Sequence, residues 1–101
     1  MLEKQIERAG GDYAKAAGHL FLKFSSPGHA AVPDRLILAE IPEFLRPVIA
    51  RYVRFVEYKR TGQKPTGPQT HEHLRLQALG FTVDVIDTVQ GSKAMTDGMG
   101  L

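Results

Sequence analysis

The sequence predicts an α/β fold, on three observations. Apolar residues recur at helical spacing in two segments, residues 2–17 and 68–79. Four short runs rich in β-branched, leucine and aromatic residues occupy 19–24, 35–39, 52–59 and 81–89. The resulting order of helix, strand, strand, strand, helix, strand is that of one α/β domain, and 101 residues are enough for one compact core.

The first helical segment places Leu2, Ile6, Ala9, Tyr13 and Ala17 on one face. Gly10 and Gly11 interrupt it, each about 1 kcal/mol worse than alanine, which predicts a weakened or bent helix, and Gly18 marks its end. HLFLKF is too short for a further helix and reads as a buried strand. After the loop SSPGHAAVPD comes a second strand, RLILA. In residues 40–51, Pro42 can open a short helix carrying Phe44, Leu45, Val48 and Ile49, although Pro47 falls inside that pattern. YVRFVEYK is the third strand and RTGQKPTGP a polar turn. The second helix starts at Pro68 and stops at Gly80, with Leu74, Ala78 and Leu79 on its face and Gln69 and His73 nearby. FTVDVIDTV alternates into a fourth strand, with Val83 and Val85 on one side. Residues 1–90 thus form the domain. Residues 91–101, with three glycines and little to bury, read as a flexible tail.

Composition excludes several classes of function. With 43% apolar and 24% charged residues the chain is not a wholly disordered one. The absence of cysteine removes disulfide scaffolds, thiolate metal sites and cysteine nucleophiles, and suits a cytoplasmic location. No apolar stretch approaches the roughly 20 residues of a membrane span, and the charged start MLEKQIERAGG lacks the apolar core of a signal peptide. A net charge of +2 does not by itself announce nucleic-acid binding. No serine lies in the glycine-flanked strand-to-helix turn that a serine nucleophile needs.

The informative residues are Asp34, which opens the second strand after Val32-Pro33, and Glu57-Tyr58-Lys59, which ends the third. Strand alternation puts Glu57 and Lys59 on one face and Tyr58 on the other. Asp34 joins them if the two strands are neighbours. Two carboxylates with a backbone carbonyl and water suit a hard cation, Mg²⁺ or Mn²⁺, and that chemistry supports phosphodiester hydrolysis, with lysine holding the water or the developing charge. Taken singly, each motif is more often a turn aspartate or a solvent-facing pair.

VPDRLIL followed by FVEYK resembles the PD-(D/E)xK nuclease superfamily. The wider strings EKQIE, LKFSSPGHAAVPDR and FVEYKRTGQKPTGPQTHEHLRLQALGFTVDVID are similar to the VRR-NUC family of virus-type replication-repair nucleases, from about Glu3 to Asp87. The resemblance implies a restriction-endonuclease-like core, a mixed four-stranded sheet flanked by helices, and an Mg²⁺- or Mn²⁺-dependent DNA endonuclease. It further implies a homodimer acting on branched DNA such as Holliday junctions, in a bacterial or phage-infected cell. It assigns Asp34 and Glu57 as metal-binding carboxylates, the Tyr58 carbonyl as a further ligand, Lys59 as the catalytic lysine and Gln69 as a catalytic glutamine reaching back to the site. A glutamate of the first helix completes the set; Glu3 and Glu7, four apart, share a face and are both candidates. Two features depart from the family pattern: the glycine pair in the first helix, and the long segment Ile41 to Arg51, which reads as an added helix at a dimer interface.

His71 and His73 lie two apart, about 200° around a helix axis, so they do not ligate one ion and read as a solvated face. Among basic residues Arg46, Arg51, Arg54, Lys59, Arg60 and Lys64 face a single acid, Glu57, and Arg60 and Lys64 are the leading candidates for DNA phosphates. Ser26, His29 and Arg35 are weaker DNA-binding candidates. The competing readings are a nicking or flap nuclease without junction selectivity, and a non-catalytic DNA-binding accessory module; the latter would be expected to have lost an acid or the lysine.

Overall fold

The computed structural model describes residues 1–26, 28 and 31–100. It is an α/β structure in the order α1 (Glu3–Ala16), β1 (Leu20–Lys23), β2 (Arg35–Leu38), a 3-10 turn (Glu43–Leu45), α2 (Arg46–Ile49), β3 (Phe55–Tyr58), α3 (Gly67–Ala78), β4 (Val83–Ile86) and α4 (Val89–Asp97). The chain divides into two compact units, Met1–Glu40 and Ile41–Leu101. The strands hydrogen-bond in two pairs, β1 with β2 and β3 with β4.

In the first unit α1 runs unbroken through Gly10 and Gly11, where the sequence predicted a weakened or bent helix. Gly11 is buried, and a Cβ there would sit 2.8 Å from the Phe21 ring. Close packing of an aromatic ring on bare backbone therefore offsets the poor helix propensity of glycine. The helix ends as predicted at Gly18, whose φ of +84° suits glycine. Its N–H bonds the Lys15 carbonyl and the His19 N–H bonds that of Ala14, both at 3.0 Å, which satisfies two terminal carbonyls. β1 and β2 pair antiparallel, from Leu20 opposite Leu38 to Lys23 opposite Arg35. Alternation sets Leu20 and Leu38, both buried, on one face. Phe21 and Arg35, on the other, meet α1. The helix consequently turns Glu7, Gly11 and Ala14 inward, while Leu2, Ile6 and Tyr13 are exposed. The predicted apolar face is thus the outer one, because the ring of Phe21 demands a glycine beneath it.

In the second unit Pro42 caps the 3-10 turn, and Pro47 falls in the first turn of α2, where a missing N–H leaves no bond unmade. The helix predicted here is therefore two short pieces, each compatible with its proline. β3 and β4 pair in parallel, Phe55 opposite Val83 and Tyr58 opposite Ile86, with α3 as the crossover between them. Phe55 and Phe81 pack edge-to-face, ring centroids 5.7 Å apart. A bidentate pair from Arg54 to Asp84, both bonds 2.8 Å, ties the approach to β3 onto β4. α3 ends at Gly80 (φ +97°), with the Phe81 N–H bonding the Leu76 carbonyl at 3.2 Å.

Two expectations change here. α3 buries Leu76 and leaves Leu74 exposed, so its inner face runs Gln69, His73, Leu76 rather than through Leu74 and Ala78. Counting apolar residues chose the wrong stripe because two positions of the inner stripe are polar. Residues 89–97, placed largely in the predicted tail, form α4: Thr88 Oγ1 accepts the Gly91 N–H at 2.9 Å and starts the helix, and the Gly100 N–H bonds the Arg51 carbonyl at 2.7 Å.

Candidate active site

β3 points Glu57 toward α3 and Tyr58 toward α4, as strand alternation requires. The Tyr58 hydroxyl lies 2.9 Å from Ser92 Oγ. Both Glu57 oxygens meet α3: Gln69 Nε2 donates to Oε2 at 3.3 Å, and His73 Nε2 lies 3.1 Å from Oε1. Gln69 and His73 are one helical turn apart, so one face of α3 presents two partners to one carboxylate. The orientation of the Gln69 amide follows from the helix cap. Its Oε1 accepts the Thr66 N–H at 3.0 Å while the Gln69 N–H bonds Thr66 Oγ1 at 3.3 Å, a reciprocal capping box that leaves Nε2 for Glu57. The side chains of Glu57 and His73 retain 28% and 13% exposure, so both contacts are partly buried. Beside them lies a hollow of about 380 Å³ walled by Phe55, Leu76 and Val83.

His73 is the residue that sequence reasoning missed. The predicted solvated face holds for the exposed His71 but not for His73, whose side chain is turned in toward Glu57. The legible signal was its spacing of four from Gln69, already placed at the site.

Lys59 follows the end of β3, and its N–H continues the ladder to the Ile86 carbonyl at 2.8 Å. The chain then turns over Arg60–Gln63, with Gly62 at φ +83°. Asp87 anchors this turn: its carbonyl accepts from Thr61 Oγ1 at 2.8 Å and its carboxylate from the Gly62 N–H at 2.9 Å. Lys59 borders a second hollow with Tyr58, Asp87 and Ser92, and Glu57 borders the one against α3. The turn ends the alternation on which a shared Glu57–Lys59 face was predicted. Arg60 and Lys64 are exposed in the segment that follows. Of the other basic residues, Arg46 donates from Nε to the Ile41 carbonyl at 2.9 Å and Arg54 is engaged by Asp84, so both have internal tasks.

In the first unit Asp34, Glu3 and Glu7 line one hollow together with Lys23 and Arg35. Asp34 is exposed and its carbonyl accepts the Phe24 N–H at 2.9 Å. Arg35 Nε bonds Glu7 Oε2 at 2.6 Å, and its guanidinium stacks over the Phe21 ring 4.7 Å from the centroid. The hydrogen bond and charge of Arg35 hold the Glu7 carboxyl below the usual glutamate range. Arg35, a predicted DNA contact, thus also serves the fold through Glu7 and Phe21. Ser26 is half-buried in the loop between β1 and β2, and His29 lies outside the described residues.

Among the described residues no three acidic or histidine side chains stand close enough to hold a metal ion by themselves. Magnesium does not require such a cage, since one or two carboxylates with waters and substrate phosphates suffice. The donors present are carboxylate and carbonyl oxygens, which fit a hard cation. Glu57 uses one lone pair on each oxygen for α3 and keeps the others.

Fold and site define a small α/β protein whose β–α–β unit presents a strand glutamate, pinned at both oxygens, against α3 and a strand-end lysine at a separate hollow. Over 86 residues the chain is 38% identical to "Putative nuclease p44" of Acyrthosiphon pisum secondary endosymbiont phage 1, a match that covers 85% of this chain and 83% of that one. The chain belongs to the family of that phage protein. No protein-family model and no solved structure matches it. Among the described residues no helix is long and apolar enough to cross a membrane.

Proposed function

We propose that the protein is a nuclease that hydrolyses DNA phosphodiester bonds with Mg²⁺ or Mn²⁺, on the pattern of the PD-(D/E)xK superfamily and its VRR-NUC branch. The observation that carries the reading is the carboxylate of Glu57, fixed by Gln69 and His73 at the end of a strand that continues into Lys59. Kinship with a phage protein named as a nuclease supports it. Asp34, Glu57 and the Tyr58 carbonyl are the ligands that the resemblance assigns. Glu3 is the better helix candidate than Glu7, because Arg35 already claims Glu7. A bound hard cation would polarise a phosphoryl oxygen and lower the pKa of a coordinated water. Lys59, on a backbone anchored by the Asp87 turn, orients that water or stabilises charge developing on the phosphoryl oxygens. Arg60 and Lys64 hold neighbouring phosphates, which makes binding weaken with salt.

Each chain supplies one such site, so symmetric cutting of a four-way junction calls for a two-fold dimer. The exposed apolar side chains of Phe44, Leu45 and Val48 are suitable interface material. The test is a panel of single-stranded, duplex, flap and four-way-junction DNA with Mg²⁺ or Mn²⁺. Cleavage is expected on the junction and is expected to disappear in Asp34→Ala and Lys59→Ala. Unchanged cleavage in either variant overturns the assignment. A strict monomer by light scattering at micromolar concentration replaces junction resolution with nicking or flap cleavage, and a metal-independent failure to cut any substrate leaves a DNA-binding accessory module.

A further inference from the structure

His73, which contacts the motif residue Glu57, belongs to neither the motif residues nor the apolar side of its helix. His73 sits on the inner stripe of α3, mostly withdrawn from water, where an apolar side chain would pack as Leu76 does. Its Nε2 is instead aimed at one carboxylate oxygen, while Gln69 takes the other. The pair differ in their own anchoring. Gln69 is locked by the capping box with Thr66, whereas His73 is held by its place in the helix, one turn deeper. A glutamate side chain has three rotatable bonds, and one donor would leave its carboxylate plane free to swing about that contact. Two donors spaced by a helical turn fix the plane.

We propose that His73 is a positioning residue for Glu57, which with Gln69 forms a two-point clamp that pre-orients the carboxylate for a divalent cation. The inference rests on the reading of Glu57 as a metal ligand. The imidazole donates from Nε2, so the clamp needs a proton on that nitrogen. Outer partners of this kind fix the orientation of a ligating side chain, and their loss weakens metal binding by about 10–100-fold.

Two measurements on the intact chain separate the parts of the idea. In the metal-free protein, long-range ¹H–¹⁵N NMR of the His73 ring is expected to show a protonated Nε2 whose signals move in Glu57→Ala; an unprotonated Nε2 overturns the clamp. Titration calorimetry with Mn²⁺ and no DNA is expected to show binding about 10–100-fold weaker in His73→Ala, with part of the loss recovered in His73→Gln, whose amide can still donate. Cleavage by His73→Ala is then expected to need more Mn²⁺ yet to approach the wild-type rate at saturation. Thermal melts establish that the variants are folded; should His73→Ala fail to fold, His73→Gln carries the comparison against His73→Leu. Wild-type Mn²⁺ affinity in His73→Ala together with lost affinity in Glu57→Ala overturns the positioning role and keeps Glu57 as ligand. Wild-type affinity in Glu57→Ala overturns the ligand reading itself.

Discussion

Two glutamates, one in each unit, are held in opposite ways. Glu7 on α1 is bonded at 2.6 Å by an arginine that also stacks on Phe21, so its negative charge is spent inside the fold. Glu57 on β3 is held by an amide and an imidazole from one face of α3, with no arginine or lysine among these partners. A carboxylate balanced by a guanidinium contributes little to attracting a cation. The comparison teaches that two residues of the same type are set apart by their hydrogen-bonding partners, a guanidinium for Glu7 and a helix-borne amide and imidazole for Glu57.

The largest expected effect tests that contrast directly. Glu57→Gln should abolish metal-dependent cleavage while Glu7→Gln retains most of it; equal losses would show that both glutamates serve the metal and would break the comparison. A smaller effect sharpens the account of the first unit. Gly11→Ala gains about 1 kcal/mol of helix propensity but drives a Cβ to 2.8 Å from the Phe21 ring. Overpacking of that kind costs about 1–3 kcal/mol, so urea unfolding should show no gain and most plainly a loss in stability, whereas Gly10→Ala, with open space around it, should stabilise. The smallest effect concerns acid. Because Arg35 lowers the folded-state pKa of Glu7, the pair's contribution is complete above the usual glutamate value of 4.5 and fades as pH falls through the lowered one. Wild-type stability measured by chemical denaturation should therefore fall toward that of Glu7→Gln below pH 4.5 and keep a constant margin above it; a margin that grows on acidification would contradict the pairing.

The legible part of the fold was local. Helix ends at Gly18 and Gly80 were readable because glycine alone adopts their left-handed backbone freely, and all four strands were readable from short runs of strand-forming residues. Less legible were the faces that the helices bury. Leu2, Ile6 and Tyr13 form a convincing apolar stripe on α1 and are exposed, since Gly11 and Phe21 settle which side meets the strands. On α3 the same method chose Leu74, because Gln69 and His73 counted as polar. α4 was hidden by its three small residues and by glycine, and became visible only once Thr88 was seen to cap it. Within the site, Glu57 was legible from its place at a strand end and Gln69 only through the family resemblance; the contact of His73 was not, because it joins residues sixteen apart in the chain.

By itself the sequence determined the order of elements as far as β4, the glycines that end α1 and α3, and the acids and lysine available for chemistry, all consequences of local backbone preference and residue type. Only the tertiary structure decided how those acids are used. It gave Glu7 to Arg35 and Glu57 to Gln69 and His73. Which partner a carboxylate meets depends on what long-range packing brings within hydrogen-bonding reach of it, and that distance is a property of the fold rather than of the spacing between residues along the chain.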